Sequence, residues 1–84
     1  MTREEMVNTY YINGVNERNY EEAQKRIREA MEAGEKYVLL PGKNNPDEFS
    51  WIATSQTISR LKEDGFDIDK VWVPFEHWSV EWDL

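Results

Sequence analysis

The sequence predicts an α/β (α+β) fold in which two helices pack on one face of a small sheet of about four strands. The expected order is β-α-β-α-β-β, with a hairpin at the C-terminus. Three observations predict it: apolar residues at helical spacing in 19–34, a continuous apolar run in 36–41, and two alternating segments after residue 65. With 84 residues, the chain is predicted to form a single small globular domain over 1–84.

The first strand is predicted at 7–12, VNTYYI, because these residues are mostly β-branched or aromatic. The dipeptide that follows, Asn13-Gly14, is a turn signal, and 15–18 is expected to be a loop or a short returning strand.

A helix is predicted to begin at Asn19 and to end at Gly34. Asn19 is a good N-cap, and Glu22 stands three residues later, as in a capping box. Glycine takes the left-handed conformation that often ends a helix.

The run KYVLLP at 36–41 predicts a central strand covered on both faces, or on one face at an edge. A second helix is predicted over 55–64, ending at Gly65. The preceding residues, FSWIAT at 49–54, could be its first turns or a short strand, and a helix that begins near Asp47 or Ser50 is favoured.

The segments FDIDKVWV and HWSVEWDL are predicted to pair as an antiparallel hairpin, with PFE as the turn. A three-residue loop would pair Trp72 with Trp78. A four-residue loop would place Val71 opposite Trp78 and turn Trp72 outward. Because type I turns around Pro74-Phe75 suit four-residue loops, the second register is favoured. In both registers Trp78 and the alternate residues after it face the core.

Charge is distributed unevenly along the chain. The net charge is −7; residues 1–62 hold ten acids and nine bases, whereas residues 63–84 hold seven acids and only Lys70. This excess argues against direct nucleic-acid binding, which requires a basic surface. The chain has no cysteine and its N-terminus is charged, so a soluble cytoplasmic protein is expected. No catalytic or metal-binding motif is recognised, and we expect neither a cofactor nor enzymatic activity.

The C-terminal hairpin is the predicted binding surface, because exposed aromatic residues surrounded by charge are typical of protein interfaces. Its acidic character predicts the basic surface of a larger nucleic-acid-binding protein as partner. A merely solvated acidic edge that discourages strand pairing between molecules is the alternative. The predicted partner-binding residues are Asp67, Asp69, Trp72, Phe75, Glu76, Glu81 and Asp83.

The stretch SQTISRLKEDGFDI, followed by a strand containing VEW, resembles the C-terminal part of small phage-encoded α/β proteins. Some proteins of that kind are anti-CRISPR or other anti-defence and host-takeover inhibitors. The resemblance covers the last third of the chain and implies a small phage inhibitor that acts by binding, in the host cytoplasm if it is phage-encoded. Independently of the resemblance, the row of carboxylates could occupy a cationic groove that normally holds phosphates, as a DNA mimic does.

Two other functions stay open. Residues 42–47 include Lys43, Asn44 and Asn45, whose side chains could bind a small ligand such as a nucleotide. Alternatively, the aromatic strand edge could pair with a second copy, giving a homodimer or a self-assembling structural protein.

Overall fold

The N-terminal part of the chain is helical. The computed structural model describes residues 1–43, 51–72 and 75–82. It begins with helix α1 (Arg3–Met6), a π-helical turn (Val7–Tyr11) and helix α2 (Ile12–Glu32), which follow one another without a break. The Thr2 hydroxyl caps this segment by accepting the Glu5 N–H at 3.2 Å.

The strand predicted at 7–12, the turn predicted at Asn13-Gly14 and the loop or short strand predicted at 15–18 are therefore wrong. β-Propensity mainly reports how well a side chain packs against neighbouring strands. Here no neighbouring strand lies beside these residues in the described part of the chain, and their backbone continues into α2. The predicted end of the helix is confirmed, since Gly34 adopts a φ of 80° directly after it.

Asn19 lies inside α2 rather than at its start. Its side-chain amide donates to the Ile52 carbonyl at 2.7 Å and accepts the Thr54 N–H at 3.1 Å. Thr54 in turn caps helix α3 (Ser55–Glu63), accepting the Thr57 N–H at 3.3 Å. The capping signal at Asn19 thus serves a different helix, 35 residues away in sequence.

Helix α3 confirms the second predicted helix, including its end at Gly65, where φ is 101°. It does not extend back into 51–54, which is not helical. The predicted start near Asp47 or Ser50 is therefore wrong, since such a helix would include 51–54, although these two residues themselves lie outside the described ones. Residues 51–54 do not form a strand either.

Three strands form an antiparallel sheet in the order β1-β3-β2, where β1 is Tyr37–Pro41, β2 is Asp67–Val71 and β3 is His77–Glu81. The C-terminal hairpin is confirmed, because β2 and β3 are antiparallel neighbours. The described sheet has three strands rather than four, and β3 occupies its centre, which makes β1 an edge strand. The fold is α+β.

The core lies between the helices and one face of the sheet. The even-numbered strand residues face it, with Leu40 and Val80 fully buried, and we call this the inner face. Trp78 and Trp82 pack against the core in part, as predicted. The buried apolar residues are Ala23, Ile27, Leu40, Ala53, Ile58, Leu61 and Val80.

A polar cluster joins α2 to the end of α3. The Tyr20 hydroxyl donates a short hydrogen bond to the Asp64 carboxylate, and the Arg60 guanidinium stacks 3.7 Å from the centre of the Tyr20 ring. Arg60 also pairs with Glu17 at 2.8 Å. The hydrogen bond to Asp64, followed by burial and by the Asp64 charge, raises the pKa of Tyr20 above its ordinary value.

Within the three described ranges, no helix combines the length and the apolar character needed to cross a membrane.

Candidate functional site

The face of the sheet turned away from the helices carries most of the predicted acidic residues. Strand alternation places every odd-numbered strand residue there. We call this the outward face; its residues are Tyr37, Leu39, Pro41, Asp67, Asp69, Val71, His77, Ser79 and Glu81.

Asp67, Asp69 and Glu81 form an exposed acidic group on the outward face. Asp67 lies directly opposite Glu81 in the β2–β3 ladder, and Asp69 lies opposite Ser79. Among the nine outward residues there is no lysine or arginine, and the ion pairs of the described residues involve none of these three carboxylates. The arrangement concentrates negative charge on one side of the sheet.

Exposed apolar residues lie beside the acidic group on the outward face. Tyr37 and Leu39, on the edge strand β1, are both exposed, and Tyr37 lies across the sheet from Glu81. The unbroken apolar run at 36–41 predicts a covered strand, so it does not reveal these two residues as surface features. An aromatic ring beside carboxylates is a combination that binds extended basic side chains, since their alkyl stems pack on apolar surface.

The pairing between β2 and β3 follows neither predicted register. Val71 pairs with His77 and Lys70 with Trp78, so that residues 72–76 separate the paired ends. The favoured register, with Val71 opposite Trp78, is wrong. The carbonyl of Glu76 accepts the Gly42 N–H at 3.0 Å, which ties this part of the hairpin to the chain after β1.

Trp72 is 60% exposed, as expected, but for a different reason. It directly follows β2 at a position that continues the inner face, not the outward one. The Lys70 ammonium lies 4.5 Å from the centre of the Trp72 ring and 5.0 Å from that of Trp78. Cation–π contact with both rings thus holds Lys70 beside the hairpin end.

Glu76 is not part of the exposed acidic surface, and this corrects the prediction. Its side chain is only 5% exposed and pairs with the Lys70 ammonium at 2.7 Å. Gly42 makes room for it, since a Cβ at Gly42 would lie 2.7 Å from the Glu76 Cγ. Residues 63–84 hold seven acids and a single base, Lys70. The presence of that base is the sequence signal for its ion pair with Glu76.

Phe75 is exposed at the hairpin end, as predicted. Asp83 lies outside the described residues. The structure therefore places Asp67, Asp69 and Glu81 together, puts Trp72 and Phe75 at one end of the sheet, and buries Glu76.

A cavity of about 370 Å³ opens on the inner side of the sheet, at the end where the hairpin joins β2 to β3. Lys43, Ser55 at the N-terminus of α3, Lys70 and Trp78 contribute to its lining. Lys43 belongs to the segment predicted as a small-ligand site, whereas Asn44 and Asn45 lie outside the described residues.

Comparison with known proteins finds no matching protein-family model, no matching curated protein and no matching solved structure.

Proposed function

We propose that this chain is a small acidic inhibitor that binds the cationic, nucleic-acid-handling surface of a larger protein through its outward face. The observation that carries the proposal is the direct opposition of Asp67 and Glu81, with Asp69 beside them and no lysine or arginine on that face.

Like charges directly opposite each other in a sheet are destabilising by about 0.2–1 kcal/mol. A basic partner would relieve this repulsion, so the arrangement favours the bound state. Adjacent strands are about 4.8 Å apart and alternate residues of one strand about 7 Å apart. The carboxylates consequently form a compact anionic array of the kind that can occupy a phosphate-binding groove, and their field would speed association with a positive surface.

The apolar residues beside the array would supply contact area that a purely acidic surface lacks. Tyr37 and Leu39 flank the acids on one side, and Trp72 and Phe75 are exposed at the hairpin end. Aromatic anchors are enriched among residues that dominate binding energy. The resemblance to phage inhibitors makes a host or defence protein, such as a CRISPR effector in the bacterial cytoplasm, the proposed partner.

The test compares the native chain with two variants of equal net charge. Asp67→Asn/Asp69→Asn/Glu81→Gln neutralises the outward face, and Glu21→Gln/Glu29→Gln/Glu32→Gln neutralises three exposed acids of α2. Each tagged protein is used to capture partners from a bacterial lysate at low and high salt. We expect salt-sensitive capture of a nucleic-acid-binding protein by the native chain and the α2 variant only.

The captured protein is then tested for nucleic-acid binding in a gel-shift assay with each chain added. The native chain and the α2 variant should displace the nucleic acid, and the outward-face variant should not. Equal capture by all three chains would show the outward face to be only a solvated acidic edge. Capture without displacement would show that the outward face binds the protein away from its nucleic-acid site, and would overturn the proposed inhibition.

A second candidate function is small-ligand binding in the inner cavity. Its volume of about 370 Å³ lies within the usual range for ligand sites, roughly 300–1,000 Å³. Lys43 and the N-terminus of α3 provide positive potential there, while the charge of Lys70 is balanced by Glu76. Calorimetric titration with nucleoside mono-, di- and triphosphates tests it. Binding that Lys43→Met abolishes would support this function, and no heat with any of them would exclude nucleotides.

A further inference from the structure

The N-terminal helical segment is built from residues that do not favour an isolated helix. Residues 7–16, VNTYYINGVN, contain four β-branched residues, three asparagines and a glycine, all of which have low helix propensity. Isolated helices shorter than about 12–15 residues are marginal in water even for alanine-rich sequences. A helix of this composition therefore needs packing against something.

The described part of its own chain supplies little of that packing. No residue of α1 or of the π-helical turn is buried, and the first buried residue of α2 is Ala23. Within the described residues, α1 and the turn have substantial contacts only with each other and with α2. The longest dimension of the molecule, 47 Å against 28 and 19 Å, fits a helix that extends beyond the core.

Five exposed apolar side chains of this segment lie on one side, whereas the exposed Ile12 is not among them. They recur in steps of four and line a shallow groove together with Gly14 and Arg18. Tyr10 and Tyr11 are 63% and 66% exposed. We call this surface the N-terminal stripe; its apolar members are Met6, Val7, Tyr10, Tyr11 and Val15.

We propose that the N-terminal stripe is a self-association surface, on which a second copy of the chain packs its own N-terminal helix in antiparallel orientation. The exposed area of the five apolar side chains is on the order of 600 Å², the lower bound per partner for a specific interface. An isologous dimer would bury the same stripe on both copies.

Charge argues for a second copy over a charged partner. Residues 6–16 are eleven consecutive uncharged residues, flanked by Arg3, Glu4 and Glu5 on one side and by Glu17 and Arg18 on the other. Because each end carries both signs, an antiparallel pair would bring acids of one copy beside an arginine of the other. A membrane surface fits less well, since helices that lie on anionic lipid present many lysines and arginines.

The position of the stripe also limits repulsion between two chains of net charge −7. Tyr10 lies about 15 Å along the helix from Tyr20, whose hydroxyl contacts the acidic C-terminal part at Asp64. This distance exceeds the Debye length of about 8 Å at physiological ionic strength. Two copies can thus meet at the stripe while their acidic regions stay apart.

Sedimentation equilibrium of the full chain from micromolar to millimolar concentration tests the proposal. We expect a reversible equilibrium between the 10.0 kDa chain and its dimer. Tyr10→Glu/Tyr11→Glu should weaken association by about a hundredfold or more, because buried tyrosines are frequent hot spots. Asn8→Glu/Thr9→Glu adds the same charge at two exposed positions that do not line the groove, and should weaken association far less.

A second measurement does not depend on charged variants. The chain has no cysteine, so Tyr10→Cys introduces a single thiol that should form a disulfide-linked dimer on mild oxidation, whereas Thr9→Cys should cross-link much more slowly. A native chain that stays monomeric at every concentration would overturn the proposal. So would equal effects of the two double variants, equal cross-linking of the two thiols, or a monomer that uses the stripe to bind lipid vesicles or another protein.

Discussion

The carboxylates near the helices and those on the outward face differ in their partners. On the helix side and at the hairpin end, Glu17 pairs with Arg60, Glu76 pairs with Lys70, and Asp64 accepts the Tyr20 hydroxyl. On the outward face, Asp67 and Glu81 oppose each other, and none of its nine described residues is a lysine or arginine. Carboxylates that join elements of the fold are thus paired, whereas those on the outward face lie opposite each other. This contrast is what supports the proposed binding role of the outward face.

The largest expected effect comes from removing the base that neutralises the buried carboxylate. Breaking a buried ion pair costs about 3–5 kcal/mol. Since 35% of the Lys70 side chain is exposed, we expect Lys70→Met to lower the free energy of unfolding by about 2–3 kcal/mol. Methionine retains the contact with the tryptophan rings, so the loss reflects charge. Urea unfolding measures it.

Lys25→Met is the matched control, because Lys25 is exposed on α2. It should change the free energy of unfolding by no more than about 0.5 kcal/mol. Equal effects of the two substitutions would mean that Glu76 does not depend on Lys70, and the contrast between the two groups of carboxylates would fail.

Gly42→Ala tests the packing that keeps Glu76 buried. The added methyl group would lie 2.7 Å from the Glu76 Cγ and 3.1 Å from its carbonyl oxygen. Overpacking of this kind typically costs about 1–3 kcal/mol, and we expect a destabilisation near 2 kcal/mol by urea unfolding.

Gly14→Ala is the control for Gly42→Ala, measured at the lowest protein concentration that the signal allows. Gly14 lies inside α2 and a Cβ there meets nothing within 4 Å, so alanine should stabilise the chain by about 0.5–1 kcal/mol. A neutral Gly42→Ala would show that Glu76 moves away without loss.

The elements that sequence analysis predicted correctly have local signals. Helix α3, the strand at 37–41 and the C-terminal hairpin follow from spacing and alternation, and Gly34 and Gly65 mark where helices end. Each of these signals lies within a few residues of the element it specifies. These elements can therefore be predicted without knowledge of the tertiary structure.

The features that were predicted wrongly depend on distant residues. The hairpin register coincides with the burial of Glu76 against Gly42, 34 positions earlier, and Asn19 bonds to the segment before α3 instead of capping its own helix. Among the described residues, the helical segment at 7–12 has substantial contacts only with the helices that adjoin it in the chain, so no local sequence signal explains why it is helical. At the candidate site, the acidic residues were predictable from composition, but their shared face was not.

Tyr20→Phe tests the hydrogen bond between the Tyr20 hydroxyl and the Asp64 carboxylate on the helix side of the fold. Losing the hydrogen bond to Asp64 should lower the free energy of unfolding by about 1 kcal/mol at neutral pH. Because the pKa of Tyr20 is raised in the folded state, its contribution is present below the ordinary tyrosine value and is lost as the pH rises through the higher folded value. The difference between native chain and variant should therefore shrink at strongly alkaline pH.

Urea unfolding of both chains between about pH 8 and about pH 11 measures this difference. Tyr37→Phe removes a hydroxyl from an exposed ring on the outward face and controls for the substitution itself. A difference for Tyr20→Phe that grows with pH would contradict the assigned hydrogen bond.

The smallest effect concerns the outward face and has the opposite sign. Asp67→Asn should raise the free energy of unfolding by about 0.2–1 kcal/mol, because it removes repulsion from Glu81. Glu81→Gln should do the same, and the double variant should gain less than the sum, since either substitution alone removes the repulsion. The gain should shrink at 1 M salt, where the Debye length falls to about 3 Å.

Glu21→Gln, on the exposed side of α2, is the control and should stay within about 0.5 kcal/mol of the native chain. If Asp67→Asn instead destabilises the chain, Asp67 has a stabilising partner within this molecule. The proposal of a cationic partner would then lose its physical basis.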